Sequence, residues 1–120
     1  MADKATGIGP DQACVTVAPG ICGNICRIRA RKIDRRMVSI EITDSAECKQ
    51  IQMLAGRLVE MSLKELFMPL TRNPVYIAAE KAGCHASCAI PSAVLKTVEV
   101  AMGMALPQDV RFRFDTEEKC

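Results

Sequence analysis

The chain of 120 residues has no tryptophan, one tyrosine and three phenylalanines, so aromatic residues make up only 3% of it. Small aliphatic side chains and seven methionines must therefore fill its core. No run of 18 apolar residues is present, which argues against a membrane span, and the first residues form no apolar signal region. Phosphate-binding glycine loops and Ser-His-Asp arrangements are also absent from the sequence.

The charge balance excludes few functions and favours none. Sixteen basic and fourteen acidic residues leave a net charge of +2, too small to indicate nucleic-acid binding. The sequence is 49% hydrophobic and 25% charged, as is typical of a globular domain. We expect a cytoplasmic protein with a flexible tail over residues 1–12 and a single domain over residues 13–120.

Seven cysteines stand beside a single histidine, an unusual ratio for so short a chain. An odd number of cysteines cannot pair completely within one chain. With no secretion signal, metal binding or free thiols are favoured over a disulfide framework.

Period-two alternation predicts the strands. A first short strand is expected over residues 13–18, and two further runs, 25–31 and 37–43, form an antiparallel hairpin. The arginines of the hairpin are interpreted as the solvated face of an edge strand. Alternation of Val110, Phe112 and Phe114 with arginines predicts a final strand at the C-terminus.

Spacings of three and four predict the helices. A helix over 46–61 would be capped by Asp44 or Ser45, a short one over 63–68 by Ser62, and one over 74–82 by Asn73. A last helix has Pro91 in its first turn and ends at Gly103. The expected fold is α+β, an antiparallel sheet of three N-terminal strands and a C-terminal strand with helices on one face.

Four cysteines and the histidine occupy turns or helix starts, where thiolates and imidazole can bind a metal. Cys22 lies in Pro-Gly-Ile-Cys-Gly, Cys48 opens a helical pattern, and Cys-His-Ala-Ser-Cys precedes the last helix. Free backbone N–H groups at a helix start favour a thiolate. The candidate ligands are Cys22, Cys48, Cys84, His85 and Cys88. Cys14 and Cys26 are expected in the core, and Cys120 as an incidental exposed thiol.

The motifs at 19–30, 38–48 and 84–88 resemble the iron–sulfur scaffold family of the IscU and NifU amino-terminal type. That family has a cysteine before a strand, a second at a helix start and a third at the start of the last helix. The resemblance assigns these positions to Cys22, Cys48 and Cys88, while Asn24 and Ser87 stand where that family has Asp and His. Residues 14–114 also resemble an uncharacterised family of small proteins from anaerobic bacteria and archaea, which implies no known activity.

These observations predict a small protein that binds zinc or an iron–sulfur cluster, in the manner of a scaffold or carrier. Two alternatives remain open. Cys84 and Cys88 could form a reversible disulfide in a thiol-redox protein, or the basic hairpin could serve a non-catalytic interaction module. No catalytic residue is assigned, and a protein partner or a homodimer is compatible with each alternative.

Overall fold

Two strands with strict apolar–polar alternation form the centre of the sheet. The structure is a computed structural model that describes residues 11–20, 23–44 and 47–116. Strands β2 (Cys26–Lys32) and β3 (Met37–Thr43) pair antiparallel, with Ala30 opposite Ile40. This confirms the predicted hairpin. The carboxylate of Asp34 closes the turn by accepting the N–H groups of Arg36 and Met37, at 2.7 and 2.9 Å.

The sheet has four antiparallel strands in the order β1-β2-β3-β4. Strand β1 (Gln12–Val17) pairs with β2, and β4 (Glu60–Ser62) pairs with β3. The arginine-bearing strand β2 is therefore central, so its interpretation as an edge strand was wrong. Its arginines lie on the exposed face of the sheet, whereas Ile28 and Ala30 on the other face are completely buried.

Helices cover the apolar face of this sheet, which confirms the predicted α+β class. The helices are α1 (Lys49–Arg57), the single-turn α2 (Leu63–Leu66), α3 (Pro74–Lys81) and α4 (Ile90–Ala101), with a 3₁₀ turn at Leu70–Arg72. Helix α4 packs across β1, β2 and β3, and α1 packs on β3. The fully buried residues of the core between sheet and helices include Ile28, Leu54, Met61, Ile90, Val38, Val75, Val94 and Val98.

Two of the predicted helix caps are confirmed with their hydrogen bonds. Ser62 Oγ accepts the N–H of Glu65 at 3.1 Å, and the Glu65 carboxylate accepts the Ser62 N–H at 2.9 Å, forming a capping box. Asn73 Oδ1 accepts the Val75 N–H at 3.0 Å. The Asn73 side-chain amide also donates to the carbonyls of Glu65 and Met68, so this buried residue ties α2 to α3.

The first long helix is shorter than its spacing predicted. It covers Lys49–Arg57 instead of 46–61, and Cys48 occupies the N-cap position expected for Asp44 or Ser45. Met61 has the helical spacing, but it lies in β4 opposite Val38. Burial of Met61 against the sheet outweighs continuation of the helix, and this explains the difference.

The fourth strand is thus Glu60–Ser62 and not the predicted C-terminal segment. After α4, whose end at Gly103 has the expected positive φ of 77°, the described chain over 103–116 is exposed and contains no strand. Val110, Phe112 and Phe114 are 56%, 85% and 90% exposed. Their alternation fits a strand, but neither edge of the sheet pairs with it. None of the helices in the described ranges is long and apolar enough to span a membrane.

The exposure of the C-terminal segment predicts that it contributes little to stability. Phe112→Ser should change the free energy of unfolding by less than about 0.5 kcal/mol, because the ring contacts mainly solvent. Ile28→Ala should lower it by about 2–5 kcal/mol, because it leaves a cavity under α4. Urea unfolding of both variants measures the difference. A loss above about 1 kcal/mol in Phe112→Ser would contradict the structure.

Candidate functional site

The end of α3 positions Cys84. Gly83 adopts a φ of 80°, which lets the chain reverse after the helix. The N–H of Cys84 donates to the Ala79 carbonyl at 2.9 Å, and the N–H of Gly83 donates to the Glu80 carbonyl at 3.1 Å. Together these bonds form a Schellman motif. Cys84 is consequently held at a defined place, half-buried against the core.

A tight turn separates Cys84 from the second cysteine of this pair. The N–H of Cys88 donates to the His85 carbonyl at 3.1 Å. Cys88 is half-buried and packs against the core, while His85 is exposed. The predicted place of Cys-His-Ala-Ser-Cys before the last helix is confirmed, because α4 begins at Ile90, with Ala89 at the N-cap. Cys88 therefore lies in the connection between α3 and α4.

Cys48 lies at the N-cap of α1, beside the α3–α4 connection. Its side chain does not cap the helix but donates from Sγ to Gln50 Oε1 at 3.5 Å. A Cβ atom on Gly83 would stand 3.7 Å from Gln50 Cγ, so the start of α1 adjoins the end of α3. This packing brings Cys48 to the same end of the molecule as Cys84.

Cys26 is the buried member of this group. It is the first residue of β2 and has no exposed surface. Burial first, and then the nearby Cys88, Cys48 and Asp44, together raise the pKa of its thiol from 9.0 to about 11. Its expected place in the core is confirmed.

The pKa of Cys84 is affected by the same two cysteines, Cys48 and Cys88. Desolvation raises the pKa of the Cys84 thiol, and Cys88 and Cys48 add to this rise because their thiolates would repel a third one. Cys48 and Cys88 therefore lie within electrostatic reach of both Cys26 and Cys84. These four residues are hereafter called the thiol cluster. The protein by itself favours their neutral forms at Cys26 and Cys84.

The thiol cluster is not a preformed metal site. Among the residues that the structure describes, no three His, Cys, Asp or Glu side chains are placed to hold a metal ion. Of the predicted ligands, Cys48, Cys84 and Cys88 are brought together, and His85 is exposed beside them. Cys22 lies outside the described residues, as does Cys120.

Two features of this arrangement were missed by the sequence reasoning. Cys26 belongs to the thiol cluster as well as to the core. A signal was present, because Cys22 and Cys26 have the same spacing of three intervening residues as Cys84 and Cys88. The second missed feature is the face on which Cys14 lies. Alternate residues of a strand point to opposite faces, so the apolar residues beside Cys14 in the first strand already indicated that its side chain points away from the core.

Cys14 does not lie in the core, and that expectation was wrong. Ala13 faces the helices, so its neighbour Cys14 lies on the open face of the sheet, opposite Arg29 in the register. There the Arg27 guanidinium donates to Cys14 Sγ at 3.4 Å. This contact raises the pKa of Arg27 above its usual value. Cys14 is therefore separated from the thiol cluster by the sheet itself.

The family model of a family of unknown function, DUF6951, matches residues 13–114. The chain belongs to this family. Apart from Gln12, the first residue of β1, the match covers every described strand and helix, together with every described cysteine. Comparison with curated proteins and with solved structures found no match, so the resemblance to the iron–sulfur scaffold family has no support from these comparisons.

The raised pKa of Cys26 predicts a loss of stability in alkali. An unfolded thiol loses its proton near pH 9, whereas folded Cys26 keeps its proton to about pH 11. Between these values the folded state binds more protons than the unfolded state, so stability falls as pH rises. From about pH 8 to about pH 10, the metal-free protein should lose on the order of 1 kcal/mol more than Cys26→Ala. Urea unfolding with a chelator present measures this, and equal losses would contradict it.

Proposed function

We propose that this protein binds a soft metal, as zinc or as an iron–sulfur cluster, through Cys22, Cys48, Cys84 and Cys88, with His85 as a substitute ligand. The observation that supports it best is the thiol cluster. Cys48 and Cys88, which lie far apart in the sequence, are both within electrostatic reach of Cys84 and of the buried Cys26. Thiolate sulfur is the ligand that zinc and iron–sulfur clusters share.

Electrostatics explains why a cation belongs beside these thiols. Burial raises the pKa of Cys84, and Cys88 and Cys48 raise it further, because several thiolates in one place repel each other. A bound cation removes this repulsion and displaces the thiol protons, which couples binding to pH. Neutral thiols would be retained without such a cation, and the metal-free protein would be stable in that form.

Metal binding requires movement of the thiols, because the described residues do not already form a site. The elements that would have to adjust are short connections. Cys84 and Cys88 lie between α3 and α4, and Cys48 follows the connection from β3 to α1. Only three residues separate Cys22 from Cys26, a length of chain that reaches at most about 14 Å. Cys22 is therefore included as the fourth ligand.

Metal content and affinity test this proposal directly. Protein purified without oxygen should contain stoichiometric zinc, or iron with sulfide, by elemental analysis. In zinc titrations of the metal-free protein, Cys48→Ser, Cys84→Ser and Cys88→Ser should each weaken binding by at least about tenfold. Each substitution removes one thiolate and leaves the short connections in place.

Cys14→Ser is the matched control for the titrations. It also replaces one half-buried thiol, but on the opposite face of the sheet, so it should bind zinc like the unaltered chain. Circular dichroism of each metal-free variant checks that folding is retained. Equal affinities for Cys14→Ser and for the three cluster variants would refute the assignment, as would anaerobic protein free of zinc, iron and sulfide.

A thiol-redox function is the second candidate, and it rests on the turn that joins Cys84 to Cys88. The hydrogen bond from Cys88 N–H to the His85 carbonyl bends the chain between the two cysteines. Their thiols also interact electrostatically. A reversible Cys84–Cys88 disulfide in metal-free protein, detected by mass spectrometry over a series of thiol–disulfide buffers, would favour this function over metal binding.

A further inference from the structure

The exposed segment after α4 has the residue pattern of a half-buried strand. Val110, Phe112 and Phe114 alternate with Arg111 and Arg113, and the three apolar side chains lie largely in solvent. Among the described residues no strand lies beside them. Two of the three phenylalanines of the chain are thus exposed within a run of residues that favours a strand. Such an apolar row indicates a partner that the single chain does not supply.

The outer side of β1 is an edge to which a further strand can bind. The backbone carbonyl of Asp11 accepts the N–H of Lys32 at 2.7 Å. Because bonded and non-bonded pairs alternate in an antiparallel ladder, the register directs the backbone groups of Gln12, Cys14 and Thr16 away from β2. In the described part of the chain, β1 pairs with β2 alone. Three N–H and three carbonyl groups are therefore available on this side.

The side chains of β1 do not protect this edge. Charged residues or proline commonly prevent an edge strand from pairing with another chain. The sequence of β1, Gln-Ala-Cys-Val-Thr-Val, contains neither. Val15 lies on the same helix-facing side as the buried Ala13, yet it is 37% exposed. Apolar surface is consequently left uncovered where an added strand would place its own apolar side chains.

The other edge of the sheet is less suitable. Strand β4 has only three residues, and the N–H of Ser62 already donates to the Glu65 carboxylate at 2.9 Å. On β1, by contrast, one orientation of the segment suits both faces of the sheet. With its valine and phenylalanines toward the helices, its arginines lie on the open face, beside residues of β1 that carry no charge.

We propose that two copies of this chain associate by exchanging their C-terminal segments, so that residues 110–114 of each copy pair with the outer edge of β1 in the other. The exchange adds a fifth strand to each four-stranded sheet. A second copy is the partner because one chain supplies both the free strand and the free edge, and a two-fold exchange leaves neither unpaired. This association uses no residue of the thiol cluster and is independent of the proposed metal binding.

The size of this interface predicts a weak dimer. Four exchanged phenylalanine side chains bury roughly 150–250 Å² each. With the valines and the paired backbones, the total lies near the lower limit of about 1,200 Å² for a stable specific interface. We therefore expect a dissociation constant of about 10–100 µM. The small effect of Phe112→Ser on the free energy of unfolding is expected of dilute protein, in which the copies are separate.

Sedimentation equilibrium of the full-length protein tests the association. The protein is kept reduced and in chelator, so that neither a disulfide nor a metal joins the copies. Its average mass should rise from one chain toward two between about 1 and 500 µM. The double variant Phe112→Ser/Phe114→Ser should raise the dissociation constant at least about tenfold, because it removes the aromatic contacts. Val15→Lys should do the same by placing a charge at the edge of β1.

Leu106→Ser is the matched control for the segment. Leu106 is 78% exposed and follows α4 like the phenylalanines, but it lies outside the alternating run, so this variant should associate like the unaltered chain. Circular dichroism checks that every variant is folded. Equal weakening by Leu106→Ser, or an unchanged dimer in the double variant or in Val15→Lys, would overturn the proposal.

Hydrogen exchange identifies the segments that pair. The amides of residues 110–114 and of β1 should become protected together as the protein concentration rises, because each pairs with the other copy. Two results would refute the exchange. One is a single chain at every concentration, and the other is protection of 110–114 that does not depend on concentration, since the segment would then pair within its own chain.

Discussion

One-sided burial of the four-stranded sheet is the constraint on which the rest of the structure depends. Each central strand places alternate residues under the helices and exposes the others, so Ile28 and Ala30 are buried while Arg27 and Arg29 reach solvent. A shift of one residue in the register would exchange the two faces. Every thiol of the described chain is consequently assigned to one face or to one end of the sheet.

This constraint separates the cysteines into two chemical environments. The thiol cluster lies where β2, α1 and the α3–α4 connection meet, in low-dielectric surroundings that favour neutral thiols at Cys26 and Cys84. Cys14 lies on the polar face, where a guanidinium group contacts its sulfur. A cation suits the first environment, because it removes the repulsion between several thiolates. Membership of a family of unknown function leaves the proposed metal binding to experiment.

Local signals predicted most of the fold. The alternation of β2 and β3 gave their pairing and their buried faces, and the Ser62 and Asn73 side chains identified the starts of α2 and α3. Predictions that depended on distant partners were less accurate. Met61 had helical spacing but pairs with β3, and the C-terminal alternation has no strand beside it. The candidate site was likewise predicted only where local patterns were sufficient. Turn and helix-start patterns pointed to Cys48, Cys84 and Cys88, but not to Cys26.

The sequence by itself determined the α+β class, the central hairpin and the presence of thiols near helix ends, because periodicity and capping act over a few neighbouring residues. Only the tertiary structure decided which thiols share an environment. Cys14 and Cys26 belong to paired strands, and both were expected in the core. They lie on opposite faces of the sheet, so Cys26 is buried under the helices while Cys14 is on the open, polar face. That outcome depends on which face α4 covers, and contacts between residues far apart in the chain decide it.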